Sequence, residues 1–341
     1  MTAVDSALLY ARATVAALST LSTPAPPPPP GLATQALAAA VFFFALDGAI
    51  TWWLPLEAWL AAHARTPPPG PKARAALARE IGVKLVGLVH LGIQLPLATA
   101  ALVGAGGRAA FGGLPFLLAP APGLSPAAAA ARLYASTRLT HATVAVSAGY
   151  FAWDVAALIP RTATADPAML AHGCLCAALY WYGALSGSLS FYGALFVLWE
   201  ASTPAVYARW LALETGWGPG TRVYAAAGVS MVASFFAARV LGGAAAYAAF
   251  WASASAELGG GHARRPGALP HLVISGFRAA NVCMTLLNLW WFSRMVAGLA
   301  RLIARGRRGG RGVEVVAVGG ARPTAKSGVS PHRGGRQSHE E

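Results

Sequence analysis

The sequence predicts an all-α fold: a polytopic membrane helical bundle of about seven transmembrane helices with disordered termini. Three observations carry that prediction. Of 341 residues, 56% are apolar and only 11% charged, with a mean hydropathy of +0.52, far from the averages of soluble domains. Long windows hold almost no charge, whereas a soluble helical protein of this size needs a charged surface. Apolar stretches long enough to cross a bilayer recur seven times, at roughly 34–61, 83–104, 139–160, 168–186, 189–213, 223–252 and 271–303.

Residues 1–33 precede the first stretch as a Pro-rich segment expected to be disordered. MTAVDSALLYARATVAALSTLSTPAPPPPPG has no continuous apolar run behind a cationic start, so it does not read as a cleaved secretory signal. Its Ser, Thr and Ala content with the single Arg12 leaves a weak organellar transit peptide as the alternative. Pro24 and Pro26–Pro30 form a polyproline II spacer that ends any helix before it, read as a stiff linker rather than an SH3-type ligand. The first transmembrane helix is expected at 34–62.

Between the first and second spans, Arg65 to Lys84 carries five Lys or Arg, and the chain from Arg294 onward carries ten. An odd number of spans puts both segments on one side, and the positive-inside rule makes that side cytosolic. The amino terminus is then expected outside or in the lumen, and residues 105–138 and 254–270 are read as hydrated loops on that same side. Only SGSLS (Ser186–Ser190) separates the fourth and fifth spans, so they form a tight helical hairpin. Gly183 and Gly187 supply a small-xxx-small pair for close helix approach. Trp52, Trp53, Trp59, Trp290 and Trp291 are assigned to interfacial aromatic belts.

From Arg305 to Glu341 the tail has too little apolar surface to order itself. A basic juxtamembrane tail serves as an orientation signal that touches anionic headgroups, and this reading is preferred to an RGG-type nucleic-acid segment. The expected partners are therefore membrane lipids and not nucleic acid, with helix–helix self-association as a further possibility. Cys174, Cys176 and Cys283 all fall in spans and give neither a disulfide framework nor a zinc site, so no metal and no cofactor is expected.

What remains is the polar set inside the spans, where charge is expensive and usually purposeful. It comprises Asp47, His90, Asp154, His172, Glu200, Arg239, Arg278 and Asn288, with Lys84 at an edge. Three acids face three bases, so internal neutralisation is arithmetically possible. One reading makes them buried ion pairs that fix helix register. The other has them converge on a cavity for the polar part of a lipid. In LWEASTPAVYARW (Leu198–Trp210), Pro204 removes a backbone donor and frees the carbonyl of residue 200, which predicts a broken turn at Glu200. Ser202 and Thr203 are placed to rebind the freed backbone groups. Arg239 is expected within salt-bridge or one-water distance of Asp154 or Glu200.

Six segments, REIGVKLVGLVH (79–90), SAGYFAWDVAALI (147–159), MLAHGCLC (169–176), LFVLWEASTPAVYARWL (195–211), SFFAARVL (234–241) and LLNLWWFSRMVAG (286–298), resemble in order the signature segments of TLC-domain proteins. That family includes the ceramide synthases, a ceroid-lipofuscinosis protein of the endoplasmic reticulum and smaller lipid-homeostasis proteins. The resemblance covers about 79–304, taken as a domain of about six transmembrane helices. It implies roles for Lys84 and His90, for Gly149, Tyr150 and Asp154, for Glu200, Ser202, Thr203, Pro204, Arg209 and Trp210, for Arg239, and for Asn288, Trp291 and Phe292.

The departures count equally. Where the family typically shows two adjacent histidines, His172 is followed by Gly173, and the extended ceramide-synthase motif is missing. Glycine cannot act as base, acid or nucleophile. The resemblance is therefore to the smaller members. Two functions follow as expectations. The preferred one is a lipid-binding protein of membrane lipid homeostasis, non-enzymatic or at least no synthase, in the endoplasmic reticulum or another endomembrane, with the plastid envelope as alternative. Its cavity candidates are Lys84, His90, Tyr150, Asp154, His172, Glu200, Ser202, Thr203, Arg209, Arg239 and Asn288. The other is an acyl-CoA-dependent lipid acyltransferase in which His172 works alone, assisted by His90 or Asp154. A transporter is disfavoured by the lack of visible inverted repeats.

Overall fold

The computed structural model describes residues 31–104, 126–159, 166–259 and 269–307. The Pro-rich amino-terminal segment and most of the basic tail lie outside the described residues.

Helices α1 (Leu32–Trp53), α2 (Leu56–His63), α3 (Pro71–Val103), α4 (Pro126–Tyr134), α5 (Arg138–Leu158), α6 (Pro167–Ser186) and α7 (Ser190–Val197) come first. A 3₁₀ segment, Leu198–Ser202, leads into α8 (Thr203–Glu214). Helix α9 (Arg222–Phe235) continues through a π segment, Phe236–Leu241, into α10 (Gly242–Gly259), and α11 (His271–Arg307) closes the bundle. No strand occurs among the described residues. The fold is an all-α membrane bundle.

Seven rods are apparent among the described residues: α1, α3, α5, α6, α7 with α8, α9 with α10, and α11. Five of these, counting Arg222–Gly259 as one, are long and apolar enough to cross a membrane by composition alone. The other two are α5, which is rich in small and polar residues, and the rod that the 3₁₀ segment interrupts. The rods match the seven stretches in order, but the first stretch, expected to run to 61, breaks after Trp53 at Leu54 and Pro55, and three rods extend further, α10 to Gly259 among them. Helix α3 starts at Pro71 and carries the basic segment as helix, and α11 runs to Arg307.

Local chemistry sets many of the ends. Thr137 and Thr140 form a reciprocal capping box at the start of α5. Asp166 caps Ala168 N–H at 2.9 Å with Pro167 in the first turn of α6, and Thr221 caps Tyr224 N–H at 3.2 Å in α9. Gly187 ends α6 in the left-handed conformation, φ 70°. Gly187 therefore serves as the cap of α6. Gly183 does serve close approach, since a Cβ there would lie 3.2 Å from Val144.

The tightest helix crossing is α1 against α5, where a Cβ on Gly149 would overlap the backbone of Ala40. Trp153, Phe43, Tyr192, Phe191 and Phe250 are among the largest fully buried side chains. Gln94 on α3 donates to Thr143 O and Ser147 Oγ of α5, both at 2.8 Å, and ties the two rods inside the apolar core.

Both stretches read as hydrated loops contain packed helix. Helix α4 lies within 105–138 and α10 runs to Gly259. Tyr134 donates to Glu257 Oε1 at 2.7 Å and accepts from Leu269 N–H at 3.0 Å, and Arg132 and Glu257 are buried. Helix formation and these polar partners let charged residues sit where residue counting placed water.

Candidate functional site

Arg239 organises the centre. It sits on the π segment, whose wider turn is common at functional sites, and its side chain is 7% exposed. Its Nη2 lies 2.9 Å from Glu200 Oε2 and donates to Thr203 Oγ1 at 3.2 Å. Nε donates to Ser202 Oγ at 3.1 Å, and Nη1 to Asn288 Oδ1 at 3.4 Å. The fixed fork of a guanidinium suits such a convergent set of acceptors.

Glu200 reaches this cation because its helix is broken where Pro204 predicts. Residues Leu198–Ser202 are 3₁₀, and Pro204 falls in the first turn of α8, where its missing N–H costs nothing. Ser202 Oγ donates back to Trp199 O at 3.3 Å, as expected. Thr203 departs from expectation: its hydroxyl donates to Glu200 Oε2 at 2.6 Å rather than to the backbone. Glu200 Oε2 is thus doubly engaged, and Oε1 faces His172 Nε2 at 3.8 Å.

His172 lies one helix away, on α6. Its Nδ1 is 3.3 Å from Met284 Sδ, its ring stands edge-on to Trp291 at 5.6 Å, and Cys176 Sγ is 3.8 Å from Nε2. Trp291 therefore points into the bundle, unlike its exposed neighbour Trp290. Gly173 packs against α5, where a Cβ would lie 3.3 Å from Asp154 Oδ2 and 3.5 Å from Leu158. A side chain at the position next to His172 would point at Asp154, which would have to give by a few tenths of an ångström.

Beside His172 and Glu200 opens a cavity of about 80 Å³ for water-sized occupants, or about 800 Å³ of empty space when the open mouth is counted. Its walls are mostly apolar, among them Phe151, Leu179, Phe196, Val197, Phe250 and Phe277. Polar groups are few, and His172 and Glu200 form one polar end. Tyr192, at another part of the wall, is occupied with Ala249 O at 2.9 Å and Ser253 Oγ at 2.8 Å.

The remaining residues singled out from sequence fall outside this lining. Thr203 and Arg239 hold Glu200, and Ser202 and Asn288 hold Arg239 in turn. His90 is stacked on Tyr150 with ring centroids 3.7 Å apart, as a buried core residue. The hydroxyls of Tyr150 and Tyr207 meet over Gly87, at 3.3 and 3.0 Å from where a Cβ would stand. Lys84 lies over the Trp210 ring at 3.9 Å and 3.3 Å from Glu80, and Arg209 donates to Tyr224 at 2.5 Å. Asp47 takes a two-pronged contact from Arg79, at 2.5 and 2.7 Å, and Arg278 covers Trp251 at 3.8 Å. Asp154 faces Gly173 and His90 stacks on Tyr150, whereas Glu200 is an acid beside His172.

Sequence reading missed Cys176, Asn281 and Met284. A signal was present: Cys176 is four residues after His172, and Phe277, Asn281, Met284 and Asn288 recur every three or four residues on one face of α11.

Among known proteins, the family model described as the TLC domain matches residues 126–297. No curated protein and no solved structure matches the chain.

Proposed function

Because the chain belongs to the TLC-domain family, whose model spans just over half of its length, we propose that this integral membrane protein binds a lipid within the bundle and acts in membrane lipid homeostasis. The observation that carries this reading is the cavity's asymmetry. Apolar walls suit an acyl chain, and a polar end at Glu200 and His172 suits the group that chain bears. Lys84, His90, Tyr150, Asp154 and Arg209 would then serve the frame of that cavity. The protein belongs, in this reading, with the smaller lipid-homeostasis members rather than the ceramide synthases, because Gly173 fills the place of the second histidine. Its compartment would be the endoplasmic reticulum or another endomembrane.

A second reading, acyl transfer with His172 as base, draws on one observation: Glu200 Oε1 lies 3.8 Å from His172 Nε2 and could orient the ring. His172→Asn separates the two readings. Asparagine keeps a hydrogen-bonding group, so under lipid binding the variant should complement a deletion strain substantially. Under acyl transfer its loss should cost about a hundredfold or more in rate. Purified protein given an acyl-CoA and a sphingoid base should form no amide product. Failure of folded, abundant His172→Asn to complement, together with product from the wild type, would transfer the assignment to the enzyme.

A further inference from the structure

The cavity lies between α6 and α11 on one side, and these two helices meet there through a few long side chains. Tyr182 and Phe277 touch edge to face with ring centroids 5.3 Å apart. Ten residues away along α6, His172 contacts Met284 at 3.3 Å and Trp291 at 5.6 Å. The helices are antiparallel, so these contacts form two staples at different heights of one seam. Between them the facing residues Cys176, Leu179 and Ala280 line the cavity and include two small side chains. Cys174 and Cys283, near the seam on the outer faces of the same helices, are exposed. Elsewhere the cavity is backed by α5, α7 and α10, and near Tyr192 the wall is held by the hydroxyl's bonds to Ala249 and Ser253.

Resting on the lipid-binding reading, we propose that the α6–α11 seam is a lateral portal through which an acyl chain passes from the bilayer into the cavity. Contacts between long, rotatable side chains can part without breaking any backbone hydrogen bond, so opening requires only rotamer changes and a small helix displacement. A bundle face in hydrocarbon adjoins the occupant itself, and an acyl chain crossing there never meets water. His172 thereby has two duties: it lines the polar end of the cavity and closes one end of the seam.

The test tethers the seam. In full-length protein carrying Cys174→Ser, Cys176→Ser and Cys283→Ser, Tyr182→Cys and Phe277→Cys are joined by a short reducible bis-methanethiosulfonate spacer. Such a spacer is needed because side chains that meet at their ring edges leave backbones too far apart for a direct disulfide. The protein is reconstituted in phosphatidylcholine liposomes, a diazirine-bearing palmitate analogue is added, and the rate of photolabelling of the cavity peptide Phe191–Val197 is followed. The tether should slow labelling at least about tenfold, as a gating step would, and dithiothreitol should restore the rate. Tyr182→Ala/Phe277→Ala, which removes a staple without a tether, should label faster than wild type and serves if the cysteine pair does not fold. Equal rates for tethered, reduced and stapleless proteins would overturn the portal while leaving the cavity reading intact. Absence of cavity labelling in the wild type would remove both.

Discussion

Arg239 shows how a cation is kept at the centre of a membrane bundle. A buried charge is tolerable only when a counter-charge and further acceptors meet its donors, and Glu200, Ser202, Thr203 and Asn288 all do so. Arg239→Ala should therefore destabilise the protein by about 3–5 kcal/mol, since it strands the Glu200 carboxylate. Arg222→Ala, on an exposed position, should fall within about 0.5 kcal/mol of wild type. Thermal unfolding in detergent measures both, and the double variant Glu200→Gln/Arg239→Ala should recover part of the loss. Arg239 unfolding like Arg222 would show that the pair contributes nothing. That Arg239 meets an acid was legible in the sequence, because charges in apolar stretches must find each other; the choice between Asp154 and Glu200 was not, and packing decides it for Glu200. What His172 touches was not legible: Asp154 and His90 were equally available partners, and which side of α6 faces Glu200 depends on how α5 packs against Gly173. Cys176 and Met284 carry neither a charge nor a strong hydrogen-bonding group, and Asn281 stands outside the six family-like segments, so none of the three stood out.

At the level of helices, the seven rods follow from hydrophobic run length, and the break at Leu198–Ser202 follows from Pro204. Less was legible where helices continue past their apolar core. Pro71–Lys84 is charged yet helical, and α4 and the end of α10 are stabilised by Tyr134, Glu257 and Leu269, which are distant in sequence. Helix crossings were also hidden, because a glycine in a span reads alike whether it packs or merely fills. Gly149 and Gly92 make the contrast testable. A methyl at Gly149 would overlap the Ala40 backbone, whereas one at Gly92 has nothing within 4 Å. Gly149→Ala should cost at least about 2 kcal/mol through forced separation of α1 and α5. Gly92→Ala should be neutral or gain up to about 1 kcal/mol from helix propensity. Comparable melting temperatures for the two variants would mean that α1 and α5 are not in close contact.

For the whole molecule, contacts between connections sort the rods into two ends. Arg65 N–H donates to Thr215 O at 2.8 Å and Arg65 covers Trp217, which joins the α2–α3 and α8–α9 connections. Leu189 N–H donates to Leu133 O at 2.7 Å, and Tyr134 joins Glu257 to Leu269, which gathers the other end. An odd number of crossings demands this partition, and the end with Arg65, Lys72 and Arg74 should be cytosolic. In sealed microsomes of a Cys174→Ser/Cys283→Ser background, Gly218→Cys should react with an impermeant maleimide, and Pro270→Cys only after detergent is added. The reverse pattern would invert the protein. The central claim, a lipid held inside the bundle, is tested most directly by a cryo-electron microscopy map of the protein in nanodiscs made from its own membranes. The account predicts an elongated density among Phe196, Phe250 and Phe277 whose polar end lies within hydrogen-bond distance of Glu200 or His172. A well-resolved cavity that is empty, or filled only by rearranged side chains, with lipid density confined to the outer surface, would contradict it.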